Sequence, residues 1–274
     1  MSTTNVNNVL PTSGVVVNVN GANIILKTAS NSLKINSSAA DIGASQSTII
    51  GKDAGPGTTG SANTFLGYNA GKLMDSGGAN TIIGAAAGAN CTGLGNTFLG
   101  SGSGGSVTTG NSNVFIGTNV GNSFGTVTGS DNICIGSGSS PATSSANYSI
   151  TLGGSFTNIL RCAQTSITSL SDARDKKEIT ELSAGLDFIK GLKPVEFVWD
   201  DRNEAGKHNI KDFGFIAQDL KKSQEDANLA ETLNLVYEEN SEKLEASYGK
   251  IIPILVKAIQ ELTAKVELLE AEKK

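Results

Sequence analysis

From Thr48 to Gly153 the apolar side chains come in short runs, each part of a three- to four-residue β-prone segment closed by glycine and followed by a polar return. The runs are Thr48-Ile49-Ile50-Gly51, Asn63-Thr64-Phe65-Leu66-Gly67, Asn80-Thr81-Ile82-Ile83-Gly84, Asn96-Thr97-Phe98-Leu99-Gly100, Asn113-Val114-Phe115-Ile116-Gly117 and Asn132-Ile133-Cys134-Ile135-Gly136. A degenerate copy closes at Ile150-Thr151-Leu152-Gly153. The closing glycines stand 16, 17, 16, 17, 19 and 17 residues apart, a short fixed period that predicts stacked coils. Each run predicts a short strand, and glycine supplies the positive φ of a tight corner. One coil buries too little apolar surface to stand alone, whereas a stack makes a continuous core. The apolar residues are sparse, so the reading favours several chains sharing one core, an intertwined trimeric β-helix or β-roll. Before the repeats, Val15–Ile35 alternates apolar and polar residues (Val15, Val17, Val19, Ile24, Leu26) and predicts strands that cap the rod or attach it to something larger.

After Ser171 the pattern changes. A helix is expected over Ala184–Leu192, capped by Ser183 and ended by Pro194. Val195–Trp199 alternates as a strand, Asn203-Glu204-Ala205-Gly206 is turn chemistry, and Phe213–Ala217 reads as a second strand before a short helix. Leu235–Glu238 and Leu244–Ala246 read as a hairpin around Asn240-Ser241. From Gly249 the chain reads as one helix with Pro253 in its first turn, where the missing N–H costs little. Ile252, Leu255, Ile259, Leu262, Val266 and Leu269 are spaced 3, 4, 3, 4, 3, an a/d seam that predicts an inter-chain coiled coil. An ordinary amphipathic helix on its own domain is the competing reading. The expected fold is therefore an all-β repeat rod followed by a small α/β domain ending in a coiled-coil helix. The expected division is a cap or attachment segment over 1–45, a β-repeat stalk over 46–170 and a C-terminal domain over 171–274, with the coiled coil over about 249–274.

Composition sharpens the boundary. Twenty-eight of the 33 glycines precede Ser171. The first 170 residues hold five Lys/Arg and four Asp, whereas the last 104 hold sixteen Lys/Arg and twenty-two Asp/Glu. The net charges are +1 and −6, which sum to −5, and no basic face is visible, so nucleic-acid binding is disfavoured. No run approaches the length of a membrane span, and the first thirty residues lack a signal-peptide pattern. Cys91, Cys134 and Cys162 lie far apart without metal-ligand spacing and read as small buried apolar residues. His208 follows a turn and reads as an exposed bystander. Trp199 reads as a core or inter-chain packing residue. Asp53, Asp75 and Asp131 fall at expected turns and form no close carboxylate pair within one chain. Neither metal nor cofactor is implied.

On the boundary sits Ser171-Asp172-Ala173-Arg174-Asp175-Lys176, which places a serine hydroxyl five residues before a lysine amine. A serine becomes a nucleophile when a base takes its proton, and lysine serves only when its amine is neutral, through desolvation or a neighbouring positive charge such as Arg174. Ser171 with Asp172 also fits a plain helix N-cap.

Four segments then occur in order: Ser171-Asp172-x-Arg174-x-Lys176, Gly191-Leu192-Lys193-Pro194-Val195-x-Phe197, Gly214-Phe215-Ile216-Ala217-Gln218-Asp219 and Tyr248-Gly249-Lys250-Ile251-Ile252-Pro253. Together they resemble the C-terminal intramolecular chaperone domain of phage endosialidases, tailspikes and tail fibres, over roughly residues 170–274. The repeats more loosely resemble trimeric tail-fibre and adhesin stalks. The resemblance implies a self-cleaving Ser–Lys peptidase that drives homotrimerisation and folding of the fibre before it, then cuts itself off. It implies Ser171 as nucleophile, Lys176 as base, Asp172 and Arg174 as supporting residues, and Leu170–Ser171 as the scissile bond. It further implies a virion location after synthesis in the host cytoplasm. Possible partners are other virion proteins at the N terminus and a host receptor or glycan. Two alternatives stand beside it. One is an adhesin or depolymerase whose site is split between chains of the rod; the other is a self-released trimeric regulatory factor.

Overall fold

The structure, a computed structural model, describes residues 33–35, 46–154, 157, 159–163, 168–200 and 208–273. Its first part is a parallel β-solenoid. Eight three-residue strands, β1 (Leu33–Ile35), β2 (Thr48–Ile50), β3 (Thr64–Leu66), β4 (Thr81–Ile83), β5 (Thr97–Leu99), β6 (Val114–Ile116), β7 (Ile133–Ile135) and β8 (Ile150–Leu152), pair in sequence order into one sheet. The strands meet in register, so that Thr48 faces Thr64, Thr81 and Thr97 in turn, and Ile49 faces Phe65, Ile82 and Phe98. The repeat runs predicted from the sequence therefore form the rungs, and β1 extends the sheet into the segment expected as a cap. The remaining expected strands there, from Val15 to Leu26, and the turn at 203–206 lie outside the described residues.

Alternation within each rung sets what is buried. The middle residue points inward: Ile49, Phe65, Ile82, Phe98, Phe115 and Cys134 are buried. A second inward stack, Ala54, Ala70, Ala87, Ser103 and Val120, lies three residues past each closing glycine, and a third is Thr58, Met74, Cys91 and Val107. This core closes within one chain, which corrects the expectation that several chains must intertwine to make it. The coil is narrow, so alanine, serine and cysteine suffice to fill it, and apolar residues that looked sparse along the sequence are enough. Cys91 and Cys134 are buried as expected, and burial pushes both thiols up to about 11. Cys162 differs: it is exposed.

The fourth inward position is asparagine. Asn63, Asn80, Asn96, Asn113 and Asn132 are all buried, and they form a ladder. The Asn80 Oδ1 accepts from the backbone N–H of Asn96 at 2.8 Å and from its Nδ2 at 3.2 Å. Asn96 accepts from Asn113 in the same way at 2.9 and 3.2 Å, and Asn113 accepts from Asn132 at 3.1 Å in both bonds. Each Nδ2 also donates to a corner carbonyl of the following coil, as Asn80 to Gly93 at 3.0 Å and Asn96 to Gly110 at 3.0 Å. Ser47 Oγ accepts at the foot of the ladder and Ser149 donates at its head. A buried amide without partners costs several kcal/mol, so the ladder removes a penalty at every rung and adds directional bonds.

The closing glycines are fixed by both backbone and space. Gly100 has φ +130°, and a Cβ there would collide with the carbonyl of Gly117 on the next coil. The rungs leave two outward columns. One runs Ile50, Leu66, Ile83, Leu99, Ile116, Ile135, Leu152. The other is threonine through Thr97 and then Val114, Ile133 and Ile150.

Beyond the solenoid, α1 (Leu186–Gly191), β9 (Val195–Asp200), β10 (His208–Gly214), α2 (Ala217–Asp226), α3 (Ala230–Leu233), the hairpin β11 (Val236–Tyr237) and β12 (Glu245–Ala246), and α4 (Ile251–Ala271) make the small α/β region. The expected helix is shorter than Ala184–Leu192, and Ser183 does not cap it. The Leu186 N–H instead donates to Glu261 Oε2 on α4 at 2.7 Å, which caps α1 across 75 residues. α4 buries Ile251 and Ile254 in a core with Phe188, Leu220, Leu235 and Val236, and its Ala258 is buried as well. Its predicted seam faces elsewhere: Ile252, Leu255, Ile259, Leu262, Val266 and Leu269 are exposed. The helix thus carries two adjacent apolar faces, one packed on its own region and one open. Among the described residues no helix is long and apolar enough to cross a membrane.

The ladder gives a stability test. Asn96→Ala removes the acceptor for Asn113 and the donor to Gly110 inside the buried coil. The expected loss is about 3 kcal/mol in denaturant unfolding. Asn90→Ala removes one exposed bond to Gly105 and should cost below about 1 kcal/mol. Equal midpoints for the two variants would show that the ladder does not hold the coils.

Candidate functional site around Ser171 and Lys176

Composition leaves the chain from Leu170 to Thr180 few apolar residues, so nothing local drives its burial. Leu170 is 99% exposed, and every residue from Ser171 to Thr180 is exposed. Within it Ala173–Asp175 form one 3₁₀ turn with Asp172 at its N-cap, not Ser171. The Asp172 carboxylate accepts from the Arg174 backbone N–H at 2.9 Å and pairs with the Arg174 guanidinium through Nε and Nη2, the latter at 2.5 Å. That turn shortens the path between residues 171 and 176. Lys176 Nζ donates to Ser171 Oγ at 2.6 Å.

The structure therefore brings Ser171 and Lys176 together across five residues, and Asp172 holds the intervening turn. Arg174 departs from expectation. The sequence reading placed its charge beside Lys176, but its guanidinium turns onto Asp172, whose carboxylate offsets that charge. The Arg174 side chain beside it, then its backbone N–H, hold the Asp172 carboxyl below the usual carboxylate range.

The later motifs meet one another. The Tyr248 hydroxyl accepts from the Phe215 N–H and donates to the Phe215 carbonyl, both at 3.1 Å, and the two rings pack edge to face at 5.7 Å. A Cβ on Gly214 would lie 2.7 Å from the Tyr248 hydroxyl, so this contact requires glycine there. Leu192, Pro194 and Val195 join Phe215, Tyr248 and Ile251 around an apolar groove of about 760 Å³. The sequence presented these segments as separate motifs. Their mutual packing was not legible because it joins residues 33 positions apart.

Trp199 is partly exposed and its indole N–H donates to Asp212 at 3.0 Å, so it packs at the surface of the β9–β10 pair rather than in a core. His208 opens β10, paired with Asp200. Among the described residues, no group of three or more His, Cys, Asp or Glu side chains could hold a metal ion.

A family model described as the chaperone of endosialidase matches residues 171–229, beginning at Ser171. No curated protein and no solved structure matched the chain.

The Asp172–Arg174 pair is open to titration. The Asp172 carboxyl should titrate below the ordinary carboxylate range by NMR, and Arg174→Ala should return it upward. Because its folded value lies below its unfolded one, its support of the turn is present above the unfolded value and is lost as pH falls through the folded value. An unchanged Asp172 titration in Arg174→Ala would show that the pair does not form in solution.

Proposed function

We propose that this chain, which carries a chaperone-of-endosialidase domain beginning at Ser171, is a homotrimeric phage-type fibre protein. In this reading the C-terminal domain aligns three copies and then severs itself at Leu170–Ser171. The domain match and the β-solenoid fit a phage fibre-type protein, and the family is of the self-cleaving serine-peptidase type. The observation that carries the cleavage reading is the 2.6 Å contact between Lys176 Nζ and Ser171 Oγ at the first residue of the family match.

The chemistry follows from which atoms are near. Ser171 supplies the nitrogen of the scissile bond, so attack of its Oγ on the Leu170 carbonyl carbon closes a five-membered ring. Neutral Lys176 takes the hydroxyl proton as the C–O bond forms. The C–N bond then breaks and its nitrogen takes a proton, which moves the acyl group from nitrogen to oxygen. Water hydrolyses the resulting ester and leaves a carboxylate on Leu170 and a free amine on Ser171. The lysine must lose its charge first, and removal from water favours the neutral amine. Packing against other copies would desolvate it, which ties cutting to assembly.

Mass spectrometry of the purified protein tests this directly. The native chain should separate into two pieces at Leu170–Ser171, whereas Ser171→Ala and Lys176→Ala should each remain at 28.1 kDa and still trimerise. Cutting of Ser171→Ala at the same bond would exclude Ser171 as the nucleophile.

The link to assembly has its own test. Leu262 lies on the open face of α4, and Leu262→Asp would put identical carboxylates together in an apolar layer. Loss of the trimer by analytical ultracentrifugation should coincide with loss of cutting on a gel. A monomeric variant that cuts at the native rate would separate proteolysis from assembly.

A further inference from the structure

The solenoid closes its core within one chain, yet one outward column of its sheet is aliphatic at every rung from Ile50 to Leu152. Leu66, Leu99, Ile135 and Leu152 on that column are 44, 43, 40 and 53% exposed. Toward the C-terminal end the neighbouring column also turns aliphatic, and Ile150 is 68% exposed. A sheet face turned to water ordinarily alternates to polar residues, and a continuous exposed apolar strip marks an interaction surface.

We infer that this stripe is the contact between copies of the chain, laid side by side and parallel, each solenoid complete and none intertwined. The inference rests on the trimeric reading above and specifies the surface that such a trimer would use.

Three observations select a second copy as the occupant. First, the in-register parallel ladder repeats one aliphatic residue per rung at the sheet spacing, about 4.8 Å. A partner that meets every rung needs the same period, and a copy of this chain has it. Second, neither outward column contains a charged residue between Thr48 and Leu152, so identical faces do not repel. Third, the area is too small for a partner that offers only one such surface. Seven rungs span about 30 Å and a three-residue strand about 10 Å, a footprint of roughly 300 Å². Stable complexes bury about 800 Å² per partner. A second open apolar stripe lies on the same chain, the α4 face from Ile252 to Leu269. A copy of the chain offers both stripes in the same order, and the heptad spacing of the second calls for another such helix.

Cross-linking tests the stripe in the full-length protein. With Ser171→Ala to keep the chain whole and Cys162→Ser to remove the exposed thiol, a cysteine is placed at Leu99 or at Leu94. Leu94 is also exposed, at 55%, but lies on a corner rather than on the sheet face. A short bis-maleimide should convert Leu99→Cys into cross-linked dimers on a denaturing gel, the one reactive thiol of the third chain left unpaired, and leave Leu94→Cys uncoupled. In the same background, Leu99→Lys combined with Ile135→Lys should shift sedimentation from trimer to monomer while the far-UV circular dichroism of the solenoid is kept. If that pair of lysines disrupts folding, the cross-linking result decides alone. A trimeric parent whose Leu99→Cys does not cross-link overturns the stripe and leaves the trimeric reading standing. A monomeric parent overturns both.

Discussion

One amide per coil fixes the solenoid. Each asparagine of the buried ladder accepts from the backbone and the side chain of the next, so the coil above can sit in one register only. Coil length does not set this register. Between Gly117 and Gly136 the spacing rises to 19 residues, yet Asn132 still meets Asn113 at 3.1 Å. The extra residues leave through a corner, where Phe124 packs partly buried against the core. A slip by one residue would turn the inward Phe98 and Phe115 outward together with the asparagines two residues before them, and so break the ladder at every rung. Satisfied polar groups thus carry specificity that the thin hydrophobic core lacks.

The period, the rung positions and the closing glycines were legible from the sequence because they are local. Apolar alternation over three residues and a glycine with positive φ leave direct marks. The asparagine was visible as part of the signature, but its function was not, since the next asparagine of the ladder lies 16 to 19 residues away on another coil. The core was misjudged for a related reason. Ala54, Ala70, Ala87 and Ser103 are ordinary small residues in a Gly/Ser-rich chain, and only the coil geometry turns them into a packed stack.

The C-terminal region shows the same division. Heptad spacing revealed one seam of α4. It did not reveal the adjacent face through Ile251, Ile254 and Ala258, because the first turns are apolar all round and one period fits both faces. Ser183 looked like a cap by residue type, yet α1 is capped by Glu261 from another element, a pairing that no local window contains. In the 171–176 segment the sequence spacing alone put Ser171 and Lys176 within reach. The turn that brings them to 2.6 Å depends on Asp172 holding Arg174, and this also consumes the charge that had been assigned to lysine activation.

That last point moves the burden of activation. On the proposed reading, with the Arg174 charge offset by Asp172, removal from water is what would favour a neutral Lys176, and one chain leaves the whole segment exposed. The coils, by contrast, need no second chain to bury Phe65, Phe98 or Phe115. On the proposed reading, folding of each solenoid and association of copies would therefore be separable steps. On the proposed reading the C-terminal domain has no core to supply to the rod; its work is to hold copies parallel while uncharged aliphatic stripes come together. A lysine that becomes a base only when covered would make the cut depend on the second step rather than the first. A well-folded but solitary chain would then keep its chaperone, and only an assembled one would lose it.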